Sequence, residues 1–385
     1  MIEEKKFKKL FWILGLLFVV SSAVGCRNAI ENESVMTEEV IEETVLSGLG
    51  MISELFPDEN LSEEVVNTLN SLIEDREITI QSIVTQVELN KVVRLSSSKG
   101  SIQKLDGVEL LTNLTVLSVN NSQISDLTPL INLTNLERLS LIDNEINDIS
   151  SLRNLVNLTR LDLGGNNISD LTPLENLTHL VSLILINNNI KNLNGLENLN
   201  HLIDLNLHDN NIYDLTPLSQ LVNLQSVRLG QNQINDLMPL SKFINLTELH
   251  LANNQISNLT PLSNLENLEI LTLSANGIND VSALSSLPLL YLTLNDNEIS
   301  DVAPLSDLYF LELLDLKNND INEIHPISTL TSLRWLNLDG NEISDTYPIC
   351  GIVNEIHQNI GFIFRISPPY HGMGEIINNL NCPID

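Results

Sequence analysis

Between residues 92 and 349 one 22-residue phrase is repeated about twelve times, and a chain written this way has few folds open to it. Its clearest copy, residues 136–157, reads L-E-R-L-S-L-I-D-N-E-I-N-D-I-S-S-L-R-N-L-V-N. The skeleton LxxLxLxxNxIxxLxxLxxLxx recurs in register on both sides. Its polar marker is Asn144, Asn166, Asn188, Asn210, Asn232, Asn254, Asn276, Asn297, Asn319 and Asn341, with Gly100 and Ser122 in the same column upstream. The spacing is 22 throughout, except for one step of 21 from Asn276 to Asn297. Self-similarity at such a period specifies a solenoid, in which no coil buries its apolar residues alone and stacking builds the core.

This skeleton is the leucine-rich repeat signature, and it predicts an α/β solenoid with a parallel sheet. In Leu139-Ser140-Leu141 the side chains alternate, so the leucines point inward and Ser140 outward, as a short strand requires. Stacked at about 4.8 Å per coil, the strands make a ladder on the order of 50 Å long. Ile146, Ile149, Leu152 and Leu155 fill the interior from the other sides. The core is therefore aliphatic, which agrees with aromatics at only 4%. The recurrent Asn turns the chain, and its buried amide needs backbone partners, since an unpaired one costs roughly 1–3 kcal/mol. Prolines 129, 173, 217, 239, 261, 304, 326 and 348 share one column just past that turn. There Pro suits the first position of a short helical turn, where its missing N–H is no loss.

Upstream the chain reads differently. Residues 1–26 open with Lys5, Lys6, Lys8 and Lys9, continue through an apolar run to Val20, and end Ala23-Val24-Gly25-Cys26. A basic start, a short apolar core and small residues before a cut describe an export signal. The Cys at the cut resembles a bacterial lipobox, which implies lipidation of Cys26 as the first mature residue. Ala23 departs from the Leu of that pattern, so ordinary cleavage or an uncleaved anchor stays open. Residues 27–50 are Glu-rich and read as a solvated spacer. Residues 51–91 predict a helical cap: apolar Leu61, Val65, Val66, Leu69, Leu72 and Ile73 keep helical spacing, with a start at Asn60 and Glu63 as box partner. A second short helix begins at Thr85 with Glu88 as its box partner. The end, residues 350–385, loses the repeat and predicts a C-terminal cap in which Phe362, Phe364, Ile366, Pro368, Pro369 and Tyr370 cover the last coil. Cys350 and Cys382 could bridge there in an oxidising exterior, or stay as two thiols.

The formal charge is −31, and removing residues 1–26, with four Lys and two Glu, takes it to −33. Such a surface repels nucleic acid and anionic headgroups. Catalysis has no support either. The seven histidines lack metal-ligand spacing, and neither a phosphate loop nor a nucleophile elbow occurs, so no enzyme, cofactor or metal is expected. The acidic column Asp126, Asp148, Asp170, Asp214, Asp236, Asp280, Asp301, Glu323 and Asp345, with Asn192 and Asn258 interrupting, could form a calcium track. Each stands three residues before the Pro column, where capping of turn N–H groups is the favoured reading.

From Phe56-Pro57-Asp58, through T-Q-V-E-L-N-K-V at 85–92, into coils carrying N-x-I-x-D-L-T-P-L, the chain resembles the internalin family of bacterial surface proteins over roughly residues 50–349. That resemblance implies a curved right-handed superhelix whose concave sheet binds host-cell receptors. Neither an immunoglobulin-like domain after the repeats nor a cell-wall sorting signal is read from the sequence, so anchoring is expected through the lipid on Cys26 and invasion does not carry over.

Function is then sought on the outward face of the sheet. One column holds Ile270, Tyr291, Leu313 and Trp335 on four successive coils, an apolar stripe about 15 Å long. Contiguous aromatic and aliphatic residues have the composition of binding hot spots. The stripe is expected to seat a protein partner, host or envelope, with Arg228 and His250 at the polar rim and Ile184 and Ile186 as a second apolar locus. Burial of Leu313 and Trp335 under the C-terminal cap is the competing reading. An envelope assembly role, and glycan binding through Tyr291 and Trp335, are the alternatives to adhesion.

Overall fold

In the computed structural model residues 48–97, 100–345, 347–348 and the backbone of 363–365 are described. The export signal with Cys26, the spacer as far as residue 47, Cys350, Cys382 and the aromatic side chains of the closing segment lie outside the described residues. Strands β3 (Arg94–Ser97), β4 (Val116–Val119), β5 (Arg138–Ser140), β6 (Arg160–Asp162), β7 (Ser182–Ile184) and β8 (Asp204–Asn206) start a parallel sheet. It continues through β9 (Ser226–Arg228), β10 (Glu248–His250), β11 (Ile270–Thr272), β12 (Tyr291–Thr293), β13 (Leu313–Asp315), β14 (Trp335–Asn337) and β15 (Ile363–Arg365). The thirteen strands lie in sequence order, so every connection passes to the next neighbour. This is a leucine-rich repeat solenoid.

Each strand lasts only as long as the LxL alternation that makes it. In β5, Leu139 is 2% exposed while Arg138 is open to solvent, and the same in-out alternation marks the other strands except β14, where the outward Asn337 is buried as well. Strand residues pair with the residue 22 further on, as in Arg138 with Arg160. The single short step keeps this register, pairing Ile270 with Tyr291. It does so because the lost residue comes from the turn before the strand: Leu287-Pro288-Leu289 stands where the preceding coil has Leu265-Glu266-Asn267-Leu268. Opposite most strands the chain makes one short 3₁₀ turn, such as Thr128–Leu130, with Pro at its start where the Pro column passes; the coil between β7 and β8 makes a plain turn at Asn194-Gly195 in its place. The interior is filled by Leu, Ile and Val, with Phe243 the one aromatic among the buried residues of the described coils.

The Asn ladder closes the interior polar side. Asn166 Nδ2 donates to the carbonyl of Leu141 one coil back at 2.9 Å and to Leu163 and Gly164 in its own turn. Its Oδ1 accepts from the N–H of Ile146 at 3.0 Å. One amide thus satisfies groups in two coils, which neither coil could do alone. The turn itself is made one residue earlier. Asp143, Gly165, Asn187, Asp209, Gln231, Asn253, Ala275, Asp296, Asn318 and Gly340 all have φ between 52° and 73°. Asn, Asp and Gly tolerate that left-handed geometry; Gln231 and Ala275 hold it against a cost of roughly 1–2 kcal/mol.

At the N-terminal end α1 (Ile52–Leu55), α2 (Glu59–Leu72) and α3 (Gln86–Leu89) precede the sheet, and α2 packs on β3. β1 (Gly50–Met51) and β2 (Ile83–Val84) form a separate antiparallel pair. The capping box at Thr85 and Glu88 is present, with both reciprocal bonds made. The expected start of α2 at Asn60 is corrected: Asp58 is the N-cap, its Oδ1 accepting from the N–H groups of Asn60 and Leu61 at 3.0 Å. The reason is tertiary. Asp58 Oδ2 also accepts from Gln103 and Lys104 in the first coil, while Asn60 Nδ2 donates to the carbonyl of Ser101. One carboxylate therefore ties the helix start to the solenoid. Leu72, expected on the apolar face, is 43% exposed because the helix ends there, and Ile73 takes the buried place.

Candidate protein-binding face

The outward residues of the sheet fall into three columns, and register decides which side chains are neighbours. Ile270, Tyr291, Leu313 and Trp335 are paired directly, each with the next, across β11 to β14. Tyr291 is 40% exposed, and Ile270, Leu313 and Trp335 are half-buried. The Tyr291 hydroxyl reaches Glu312 at 3.5 Å, and Arg334 lies 3.5 Å from the same carboxylate, so one flank of the stripe is polar. β15 joins beyond Trp335, pairing backbone with backbone at Ile363. Residues 363–365 thus extend the sheet sideways rather than crossing over its face. On the same strand end, Asp339 Oδ1 is buried without a hydrogen-bond partner among the described residues.

Arg228 lies in the middle of the sheet, two strands from Ile270. Its guanidinium is clamped between Asp204 at 2.9 Å and Glu248 at 3.1 Å. Ser182 and Ser226 hydroxyls donate to the same two carboxylates. A guanidinium held this way is spent on the sheet and positioned for at most a shared contact with a partner. His250 stands between this clamp and the stripe, its Nε2 4.0 Å from Glu248 and its Nδ1 3.3 Å from the Thr272 hydroxyl. Burial, and then the Arg228 charge, hold its pKa below the usual imidazole range, so the ring is neutral near pH 7. Ile184 and Ile186 lie on and just past β7, four strands from β11, or about 19 Å. They form a separate apolar spot, not part of the stripe.

The Asx column is occupied structurally. Asp148 accepts from the Ser150 N–H at 2.8 Å and Asp214 from Thr216 at 2.8 Å, and Asn192 and Asn258 do the same work uncharged. Among the described residues no group of three or more His, Cys, Asp or Glu is placed to hold a metal ion.

The chain matches the family described as Leucine Rich repeats (2 copies) over residues 134–176 and 244–286. No curated protein matches it. Among solved structures it is similar to an internalin (inlF) from Listeria monocytogenes, at 35% identity over 79% of this chain and 89% of that one, with a TM-score of 0.74. The chain belongs to the internalin family. Internalin C2 (inlC2) of the same organism is 33% identical over 64% of this chain and 97% of that one, with a TM-score of 0.50. At 22% identity the functional domain of InlJ from Listeria monocytogenes shares the fold, over 82% and 80% of the two chains, with a TM-score of 0.55.

Two features of this internalin escaped the sequence reading. A second ladder runs along the flank before the strands: Asn135 Nδ2 donates to the Thr112 carbonyl at 2.9 Å, and Asn113, Asn157, Asn223, Asn245 and Asn267 repeat the bond. His179 and His201 take the same place, with Nδ1 donating to Val156 and Thr178. The signal was present as Asn or His before Leu in each coil from Asn113 to Asn267. It is a weaker one, because these side chains stay exposed and the position accepts Pro288, Phe310 and Ser332 later in the array. The flank carries an open groove of about 770 Å³ lined by Glu137, Thr159, His179 and His201 among others. The second missed feature is Arg94, which joins Arg138 and Arg160 at the N-terminal end of the first outward column with Val116 between.

Proposed function

We propose that this internalin is a non-catalytic recognition protein, exported and held at the bacterial envelope by a lipid on Cys26, that binds a protein partner through the outward face of its sheet. The observation that carries the reading is the unbroken pairing of Ile270, Tyr291, Leu313 and Trp335 on four adjacent strands. Singly exposed apolar residues mean nothing on a protein surface. A contiguous run with Tyr and Trp, framed by Glu312, Arg334 and the Arg228 clamp, has the apolar centre and polar rim of an interface.

The test is a pull-down with the mature chain against host and bacterial extracts, followed by affinity and melting curves for Tyr291→Ala and Trp335→Ala. Each variant is expected to weaken the recovered partner by about thirtyfold, or roughly 2 kcal/mol, at an unchanged melting temperature. Unchanged affinity with a lowered melting temperature would assign the stripe to the end of the core and move the site towards Ile184 and Ile186.

A further inference from the structure

We propose that the N-terminal third of the same face is an acidic-peptide subsite, in which Arg94, Arg138 and Arg160 receive carboxylates of the partner. The inference rests on the protein-recognition reading above and adds the chemistry of the ligand at one end of it.

The three arginines occupy one outward column. Arg94 pairs with Val116, Val116 with Arg138, and Arg138 with Arg160, so they span three strand steps, about 14 Å. All three are exposed, and none makes an ion pair or side-chain hydrogen bond among the described residues. In a chain with 50 acidic residues against 19 Lys and Arg, that is unexpected, because acids are plentiful enough to pair every base. Arg228 shows what happens elsewhere in the same sheet: it is met by an acid from each neighbouring strand. The two acids nearest in sequence do not answer the trio. Glu137 faces the flank groove, and Asp162 turns its carboxylate to the N–H of Gly164 at 3.2 Å. The next column is hydroxylic at Ser96, Ser118 and Ser140, beside Arg94, Val116 and Arg138, and the one acid that follows it, beside Arg160, is the same Asp162.

Charge complementarity selects the occupant. Guanidinium groups favour carboxylates in forked geometry, and a local basic patch acts within a Debye length of about 8 Å. A polysulfated glycan is also anionic, but its dense charge extends past the patch onto a surface of the same sign, which disfavours it. A peptide with two or three acids does not carry that penalty. From β6 to β11 is five strand steps, about 24 Å, so one extended segment could place acids on the arginines and apolar residues on the stripe.

The test uses the full chain and a displayed library of random peptides of about twelve residues, roughly 40 Å when extended. Selected peptides should be enriched in Asp and Glu over the input library. The strongest, made synthetically, should bind more weakly as salt rises and lose about tenfold or more in affinity with Arg94→Glu, Arg138→Glu and Arg160→Glu combined. The same three positions changed to Gln should give a smaller loss in the same direction. Arg153→Glu, Lys191→Glu and Lys242→Glu combined make the same change in net charge elsewhere and should leave affinity within about twofold. Melting curves check that all variants fold. Absence of acidic enrichment, equal losses in the two triple variants, or arginine-dependent binding of a heparin oligosaccharide in place of peptides would overturn the inference. If selected peptides depend on Tyr291 and Trp335 but not on the arginines, recognition stands and this subsite falls; if they depend on neither, both fall.

Discussion

Asn232 shows at residue scale why the polar column holds Asn in every coil from Asn144 to Asn341. Its Nδ2 lies 3.0 Å from the carbonyls of Leu207 and Leu229 and 3.2 Å from that of Gly230, while Oδ1 takes the N–H of Ile212 at 2.9 Å. Leucine would fill much of the space but leave buried groups of two coils without partners. Asn232→Leu is expected to cost on the order of 3 kcal/mol, read as a shifted midpoint in denaturant unfolding, with a broader transition because neighbouring coils lose a shared interface. A midpoint equal to wild type would show that the turn does not depend on the amide. The periodicity announced this column plainly. It did not announce the left-handed residue before it, since Asp, Asn, Gly, Gln and Ala all appear there and only φ reveals their common state.

At the scale of the element, the typical coil is a strand, a turn, and a 3₁₀ segment whose first N–H is taken by an Asx side chain, as at Thr128, Ser150, Thr172, Thr216 and Ser282. For Asp148 and Asp280 the backbone N–H bond is the leading cause that lowers the carboxylate pKa, and for Asp214 the Thr216 side chain leads and its N–H follows. A depressed folded pKa means these groups add stability above their unfolded pKa, near 3.9, and lose it as pH falls through the folded value. Asp162 and Asp315 act oppositely: burial raises them, so their contribution fades as pH rises through their folded values. The combined Asp148→Asn, Asp214→Asn and Asp280→Asn variant keeps the acceptor oxygen, as Asn192 and Asn258 already do. Its melting temperature should fall less than wild type between about pH 5 and pH 2. An identical pH profile would show that the charge contributes nothing beyond the bond. The capping role was legible from the spacing to the Pro column. The start of α2 was not, because Asp58 was chosen over Asn60 by bonds to residues more than forty positions away.

For the whole molecule, the proposed anchor at Cys26 predicts that Cys26→Ser abolishes lipid labelling and releases the protein from the membrane fraction; retention and labelling as in wild type would refute the lipid anchor. The solenoid beyond it follows from the sequence to an unusual degree. A repeat of 22 with one inward LxL per coil fixes strand, register, core and outward columns together, because each coil pairs only with the next. That is why the adjacency of Ile270, Tyr291, Leu313 and Trp335 could be written down from the letters, and why the step of 21 did not disturb it. What the letters could not decide is which outward charges are satisfied. Arg228 and Arg160 look alike in sequence, one outward arginine each; only side-chain geometry across neighbouring strands shows the first clamped by Asp204 and Glu248 and the second left open to solvent. Period specifies where a side chain points, since backbone geometry repeats; pairing depends on distances of a few ångströms between coils, and those exist only once the coils are stacked.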